Sequence, residues 1–282
     1  MAYTTLISTQ TLHQQLNNPD WVVVDCRFSL ADTEAGAKAY RHGHIANARY
    51  AHLDKDLSSR ITDFSGRHPL PDFAALAKKL ADWGIANHSQ VVVYDDAGGA
   101  FAGRLWWLLR CLGHNKVAVL DGGIKHWQKQ GLPVTTTLPK IKAAAFRPYL
   151  NEQAWLSALQ VQNSTAKKSA CLIDARTPER YRGEQEPIDP VAGHIPGALN
   201  RALQLNLDGN GLFLPADALR EQFNRLIGAA APEQVVHYCG SGVTACHNLL
   251  AMEYAGLTGS KLYAGSWSEW IRNKNRAIAK GH

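Results

Sequence analysis

The stretch Cys239-Gly-Ser-Gly-Val-Thr-Ala245 concentrates more chemistry than any other part of the chain. It follows the β-branched pair Val235 and Val236. It precedes a helical pattern whose apolar side reads Val243, Cys246, Leu249, Leu250 and Tyr254. A strand, a glycine-rich turn and a helix start therefore meet at one cysteine. Gly240 and Gly242 let backbone amides turn inward, and those amides together with the helix N-terminus form a cradle for an anion. A thiol held there is expected to give up its proton readily and to act as a nucleophile near neutral pH. Most free cysteines are merely small buried apolar residues; the surrounding cradle argues against that reading here.

The elements that must position this loop come in two matching sets. Trp21-Val-Val-Val-Asp-Cys-Arg27 resembles Cys171-Leu-Ile-Asp-Ala-Arg176, and Gly43-His-Ile-Ala-Asn-Ala48 resembles Gly193-His-Ile-Pro-Gly-Ala198. Further on, Gln90-Val-Val-Val-Tyr-Asp95 matches Gln234-Val-Val-His-Tyr-Cys239, and the segment ending at Trp127 matches the one ending at Trp270. Four collinear matches, offset by 143 to 150 residues, indicate a duplicated domain. Short β-branched runs at Val22–Val24, Val91–Val93, Val117–Leu120, Leu172–Ile173 and Val235–Val236 suit strands covered on both faces. Helical faces lie between them, such as Phe73, Leu76, Ala77 and Leu80, or Leu105, Leu108, Leu109 and Leu112, or Leu219, Phe223, Leu226 and Ile227. The expected architecture is α/β, two tandem domains, each a mostly parallel sheet with helices on both sides. Residues 1–134 form the expected first domain, 135–149 the linker and 150–282 the second domain.

Composition agrees with two ordinary cores. The chain has 282 residues, 45% apolar and 19% charged, which excludes disorder, collagen and coiled coil. Lysine and arginine exceed aspartate and glutamate by six, but the cations are scattered, so small anions fit better than nucleic acid. The N-terminus lacks a signal-like apolar run and nothing approaches a membrane span, so a cytoplasmic protein with no membrane contact is expected. Five cysteines without a CxxC pair argue against a disulfide scaffold or zinc ribbon on spacing alone.

The CGSGVTA loop, together with GHIPGALN, the DAR that ends a strand and the terminal YAGSWSEW, resembles the two-domain rhodanese family of thiosulfate and 3-mercaptopyruvate sulfurtransferases. The resemblance covers nearly the whole chain, both repeats included. It implies two rhodanese-like domains of which only the second is catalytic, since Asp95 stands at the cysteine position of the first. It also implies that Cys239 takes a sulfane sulfur from a small anionic donor, becomes a persulfide and passes the outer sulfur to a nucleophile by double displacement. Gly240, Gly242, Val243 and Thr244 would line the donor. No metal and no organic cofactor is implied, and the acceptor would be cyanide, a small thiol, thioredoxin or another protein. A phosphatase of the same fold would need an arginine six residues after the cysteine, where this chain has Ala245. A non-catalytic carrier or scaffold is the other class, and it has little need for an intact cysteine cradle.

Further implications concern the donor. Gly240 and Ser241 are neutral where thiosulfate-selective members carry cations, which favours 3-mercaptopyruvate. In that group a serine two after the cysteine, here Ser241, works with a histidine and an aspartate; His68 in GRHPLP and Asp54 in HLDKDL lie in the corresponding region. A carboxylate that fixes one imidazole tautomer would let the other ring nitrogen face the hydroxyl. Arg180 in PERYRG matches the substrate arginine, with Arg182 near enough to assist, and Arg104 in GRLWW matches a first-domain arginine of the site. The chain departs from the pattern at Glu186-Pro-Ile-Asp-Pro190, where a further arginine is usual. His44 and His194 occur in the same GHI context in both repeats and are expected to be structural. Trp106 and Trp107 are expected in the core, and Trp267 in the wall of the pocket.

Overall fold

The computed structural model describes residues 2–167 and 169–281. They form two compact units. The first comprises the chain up to Ser59, Leu70–Asn151 and Gly209–Leu212; the second comprises Arg60–Pro69, Glu152–Asp208 and the chain from Phe213 onward. The ten residues Arg60–Pro69 thus come from the sequence of the first repeat but belong to the second unit.

In the first unit, strands β1 (Leu6–Ile7), β2 (Trp21–Asp25), β3 (Arg49–Tyr50), β4 (Gln90–Tyr94) and β5 (Val117–Leu120) form a parallel sheet in the order β1-β5-β4-β2-β3. In the second, β6 (Trp155–Leu156), β7 (Cys171–Asp174), β8 (Leu199–Asn200), β9 (Val235–Tyr238) and β10 (Lys261–Tyr263) repeat that order as β6-β10-β9-β7-β8. The register repeats too, for Asp25 pairs with Tyr94 and Asp174 with Tyr238. The central strands are the apolar runs legible in the sequence. The outermost strands have two residues each, too few for any periodic signal. Parallel neighbours need long crossovers, and these carry the helices.

Each sheet packs its own core. Val23, Ile45, Val92, Tyr94, Leu120 and Trp127 are buried in the first unit. Leu172, Ile195, Val236, Tyr238, Trp267 and Trp270 are their counterparts in the second. The helix Phe73–Asp82 buries Leu76, Ala77 and Leu80 on one side, as its pattern requires. The helices Ala102–Cys111 and Ala245–Tyr254 are different, being buried nearly all round, so Cys246 does not mark a single inward face. Trp106 and Trp107 belong to the first of these and are core residues.

A charged brace recurs at the end of the second strand of each unit. Arg27 Nη2 lies 2.6 Å from Asp25 Oδ2 and donates to the Gly43 carbonyl at 2.7 Å. Arg176 Nη2 lies 2.7 Å from Asp174 Oδ2 and donates to the Gly193 carbonyl at 2.6 Å. Burial alone would depress the Arg176 pKa, but the Asp174 carboxylate more than offsets it and holds the guanidinium charged. The glycines bonded by these arginines open the GHI segments. There His44 stacks on Tyr40 with centroids 4.0 Å apart, and His194 stacks on Tyr181 at 3.8 Å. Each histidine Nδ1 bonds the carbonyl of its stacking tyrosine at 2.8 Å. The two histidines therefore clamp a loop that both units need, a role independent of any thiol.

Candidate active site

In the second unit the chain turns outward at the carboxyl end of β9, beside the end of β7, which is where the strand order reverses direction and where open parallel sheets place ligands. Cys239 is the first residue after β9 and is 1% exposed. Its backbone is pinned by the opening of the helix Ser266–Trp270: the Trp267 amide donates to the Cys239 carbonyl at 3.0 Å and the Ser268 amide to the Gly240 carbonyl at 2.9 Å. The Cys239 amide in turn donates to Ser266 Oγ at 3.1 Å. Ser266 holds a left-handed backbone, φ +54°, uncommon for a residue with a side chain, and its hydroxyl is bonded onward to the Tyr263 carbonyl. No feature of sequence spacing marked Ser266; its role depends on a fold-back across 27 residues.

The loop closes over the sulfur at Gly242, whose amide donates to Cys239 Sγ at 3.2 Å. Gly242 has φ +75°, and a Cβ there would stand 2.1 Å from the Ala264 carbonyl oxygen, so only glycine fits. Val243 is buried and Thr244 half-buried, and the helix Ala245–Tyr254 follows directly. Cys246 Sγ donates to the Gly242 carbonyl at 3.5 Å inside this buried helix.

Residues Arg60–Pro69 complete the site. Gly66 comes so close to the Gly265 carbonyl that a Cβ would lie 2.5 Å from it, and the Arg67 amide donates to Ser268 Oγ at 3.0 Å. This anchorage sets His68 Nδ1 at 2.7 Å from Ser241 Oγ, both side chains being buried. It also sets Arg67 Nη2 2.7 Å from the place a Gly240 Cβ would occupy, with the Arg180 Nη2 and Nη1 atoms at 3.5 and 3.7 Å from the same point. The loop itself has no cation, but two guanidinium groups stand over its first glycine. His68 was expected near the loop and Arg67, its neighbour, was not, because nothing in GRHPLP says which of two adjacent residues faces a loop 173 positions away.

The arginines are held by carboxylates. Arg180 turns its Nε–Nη2 edge to Glu186, with contacts of 2.7 to 3.2 Å, and also reaches Asp189 Oδ2 at 3.3 Å. Arg67 Nη1 is paired with the other oxygen of Asp189. Glu186 also meets Arg176 at 3.1 Å and accepts the amides of Ile188 and Asp189 at 3.1 Å. Burial would raise the Glu186 carboxyl, yet the Arg180 bond and these amides bring it below the usual carboxylate range. The Glu186–Pro190 stretch, which lacks the expected arginine, thus supplies the counter-charges for two others.

Arg182 points at Glu184, 2.7 Å away, on the surface. Asp54 and Arg104 belong to the first unit. Asp54 sits in the short helix Leu53–Asp56, where desolvation raises its carboxyl pKa. Arg104 is wholly buried in the helix Ala102–Cys111 and donates to the Leu57 carbonyl at 3.4 Å. Trp267 is a core residue under Arg176, whose guanidinium lies 4.9 Å from its ring centre. In the first unit the loop equivalent to the cysteine loop is filled by its own side chain: Asp95 Oδ1 accepts the amides of Ala97 and Gly99, and Oδ2 those of Phe101 and Ala102, all at 2.8 to 2.9 Å.

A duplicated parallel α/β sheet, with one loop folded around a thiol and its twin filled by a carboxylate, defines a tandem α/β protein whose two repeats carry unlike loops. The model of the rhodanese-like domain matches residues 8–130 and again 152–273. The chain belongs to that family and is a sulfurtransferase of it. Over the full length of both chains it is 46% identical to the Pseudomonas aeruginosa protein named "probable 3-mercaptopyruvate sulfurtransferase". It is 32% identical to the thiosulfate sulfurtransferase of Rattus norvegicus, over 96% of this chain and 93% of the rat protein. The crystal structure of SseA from Escherichia coli, described as a 3-mercaptopyruvate sulfotransferase, superposes with a TM-score of 0.81 over 94% of this chain and all of that one, at 28% identity. Among the described residues no helix is long and apolar enough to cross a membrane.

Proposed function

We propose that the chain moves sulfur from 3-mercaptopyruvate to a thiophilic acceptor through a persulfide on Cys239. The observation that carries this reading is the 2.7 Å bond between Ser241 and His68 beside the cysteine loop, because a 2-oxo thiol donor needs a proton moved whereas thiosulfate does not. The Cys239 thiolate attacks the donor's sulfur; an S–S bond forms and the C–S bond breaks, its electron pair passing to the methylene carbon as an enolate. The proton that arrived on the donor's thiol ends on that carbon, giving pyruvate, and in this reading the Ser241–His68 pair carries it. The Gly242 amide, already directed at Sγ, supports the persulfide anion. A nucleophile such as cyanide or a thiolate then takes the outer sulfur, and Cys239 departs as thiolate. The nearby cations, Arg67 and Arg180, are offset by Asp189 and Glu186, which suits a donor with one carboxylate better than a dianion.

Steady-state rates with 3-mercaptopyruvate and with thiosulfate, cyanide being the acceptor, test the reading on wild type and Cys239→Ser. The expected result is a higher kcat/KM for 3-mercaptopyruvate and no turnover by the serine variant. A higher value for thiosulfate overturns the donor, and inactivity with both moves the chain to the carrier class. Asp54→Asn and Arg104→Gln in the same assay test the roles expected of those first-unit residues.

A further inference from the structure

We propose that Arg67 is a second anion-anchoring arginine of the site, acting with Arg180 through the Asp189 carboxylate they share, and that its ligand is the carboxylate end of a small 2-oxo acid. The inference rests on the donor reading above but is carried by separate geometry. Arg180 cannot offer a donor its two-pronged edge, since Nε and Nη2 are already committed to Glu186. What it has left is Nη1, for which no acceptor is present among the described residues, near Gly240. Arg67 is in the complementary state. Of its five N–H donors, one, on Nη1, has an acceptor among the described residues; Nη2 stands against Gly240, and the buried Nε has no partner among those residues.

Two guanidinium groups from different segments thus converge on one side of Gly240, each with an unused donor, one residue from the nucleophile. The oxygens of Asp189 are divided between them and fix their separation, and Glu186 is itself held by two backbone amides. An anchor ordered before the ligand arrives loses little side-chain freedom on binding. Arg67 remains 23% exposed and Arg180 16%, so the pair is open to a small solute while its counter-ions are nearly buried. Arg67 therefore binds the donor rather than taking part in bond making, and its loss should appear in KM.

The test uses the full chain, with pyruvate as a probe of anchoring that needs no turnover. Arg67→Gln should raise KM for 3-mercaptopyruvate roughly 10- to 100-fold, the range of one hydrogen bond to a charged group, with kcat changed only a few-fold. The pyruvate concentration needed to protect Cys239 from iodoacetamide should rise by the same factor. Arg67→Lys keeps the charge beside Asp189 but loses the planar second amine, and should fall between the two. Unchanged KM and unchanged pyruvate protection in both variants overturn the proposal, as does a loss confined to kcat. If Arg67→Gln does not fold, Arg67→Lys decides by the same two readings. A wild type that pyruvate protects but that turns over no 3-mercaptopyruvate would sink the donor reading and leave Arg67 to be judged on protection alone.

Discussion

Replacing Asp95 by asparagine in the first unit tests whether its loop is the same anion cradle as the one around Cys239. The carboxylate is fully buried and accepts four backbone amides, two on each oxygen, at 2.8 to 2.9 Å. Asparagine keeps one acceptor oxygen, which can satisfy either Ala97 and Gly99 or Phe101 and Ala102. Its amino group would meet the other two N–H donors head-on. Two buried amides are then orphaned at about 1–3 kcal/mol each, so the first unit should lose about 2–6 kcal/mol, a large part of a typical domain's stability. Urea unfolding followed by tryptophan fluorescence reads this loss as an early transition, while activity in buffer stays near wild type because Cys239 is in the other unit. Asp95→Ala leaves the cradle vacant, and sulfate should stabilise that variant more than it stabilises wild type. An asparagine variant within about 0.5 kcal/mol of wild type, or an alanine variant indifferent to sulfate, would refute the idea that these amides form an anion site.

Ser241→Ala and His68→Gln should each lower kcat with 3-mercaptopyruvate by about 10²- to 10⁴-fold, the usual scale of general acid–base help, and affect thiosulfate turnover far less; equal losses with both donors would assign the pair a merely structural role. Gly242→Ala should abolish activity and lower the unfolding midpoint, because its Cβ has no room 2.1 Å from the Ala264 carbonyl; an active, stable alanine variant would count against the loop geometry. Burial, helped by the Arg201 charge, lowers the His237 pKa to about 3, against an ordinary value of 6.5. The folded chain holds this imidazole neutral while the unfolded chain binds a proton below pH 6.5. Stability should therefore fall as pH drops from about 6.5 towards 3, by up to about 1.4 kcal/mol per pH unit. Denaturation of His237→Gln across that range should lack this slope.

Much of this molecule is legible without coordinates. The two α/β repeats follow from paired motifs, and the central strands from short β-branched runs, because a strand covered on both faces must be apolar throughout. The cysteine loop is legible for a similar reason: cysteine, two glycines and a helix start follow one another closely, and a local turn needs only local residues. The twin loop was legible in its lack of a thiol, since Asp95 stands at that position, but not in its content; four amides on one carboxylate appear only when the backbone is folded.

Tertiary structure alone decided what stands over the cysteine. Residues Arg60–Pro69 read as part of the first repeat yet pack into the second unit, bringing His68 to Ser241 across 173 positions and Arg67 to Asp189 across 122. Glu186 and Asp189 looked like a missing arginine and proved to be the carboxylates that hold two arginines in place. Periodicity and turn chemistry describe neighbours along the chain, whereas these contacts are chosen by which surfaces remain to be buried once both sheets have formed. The cysteine loop was thus fixed by local sequence, and the charges that stand over it by long-range packing.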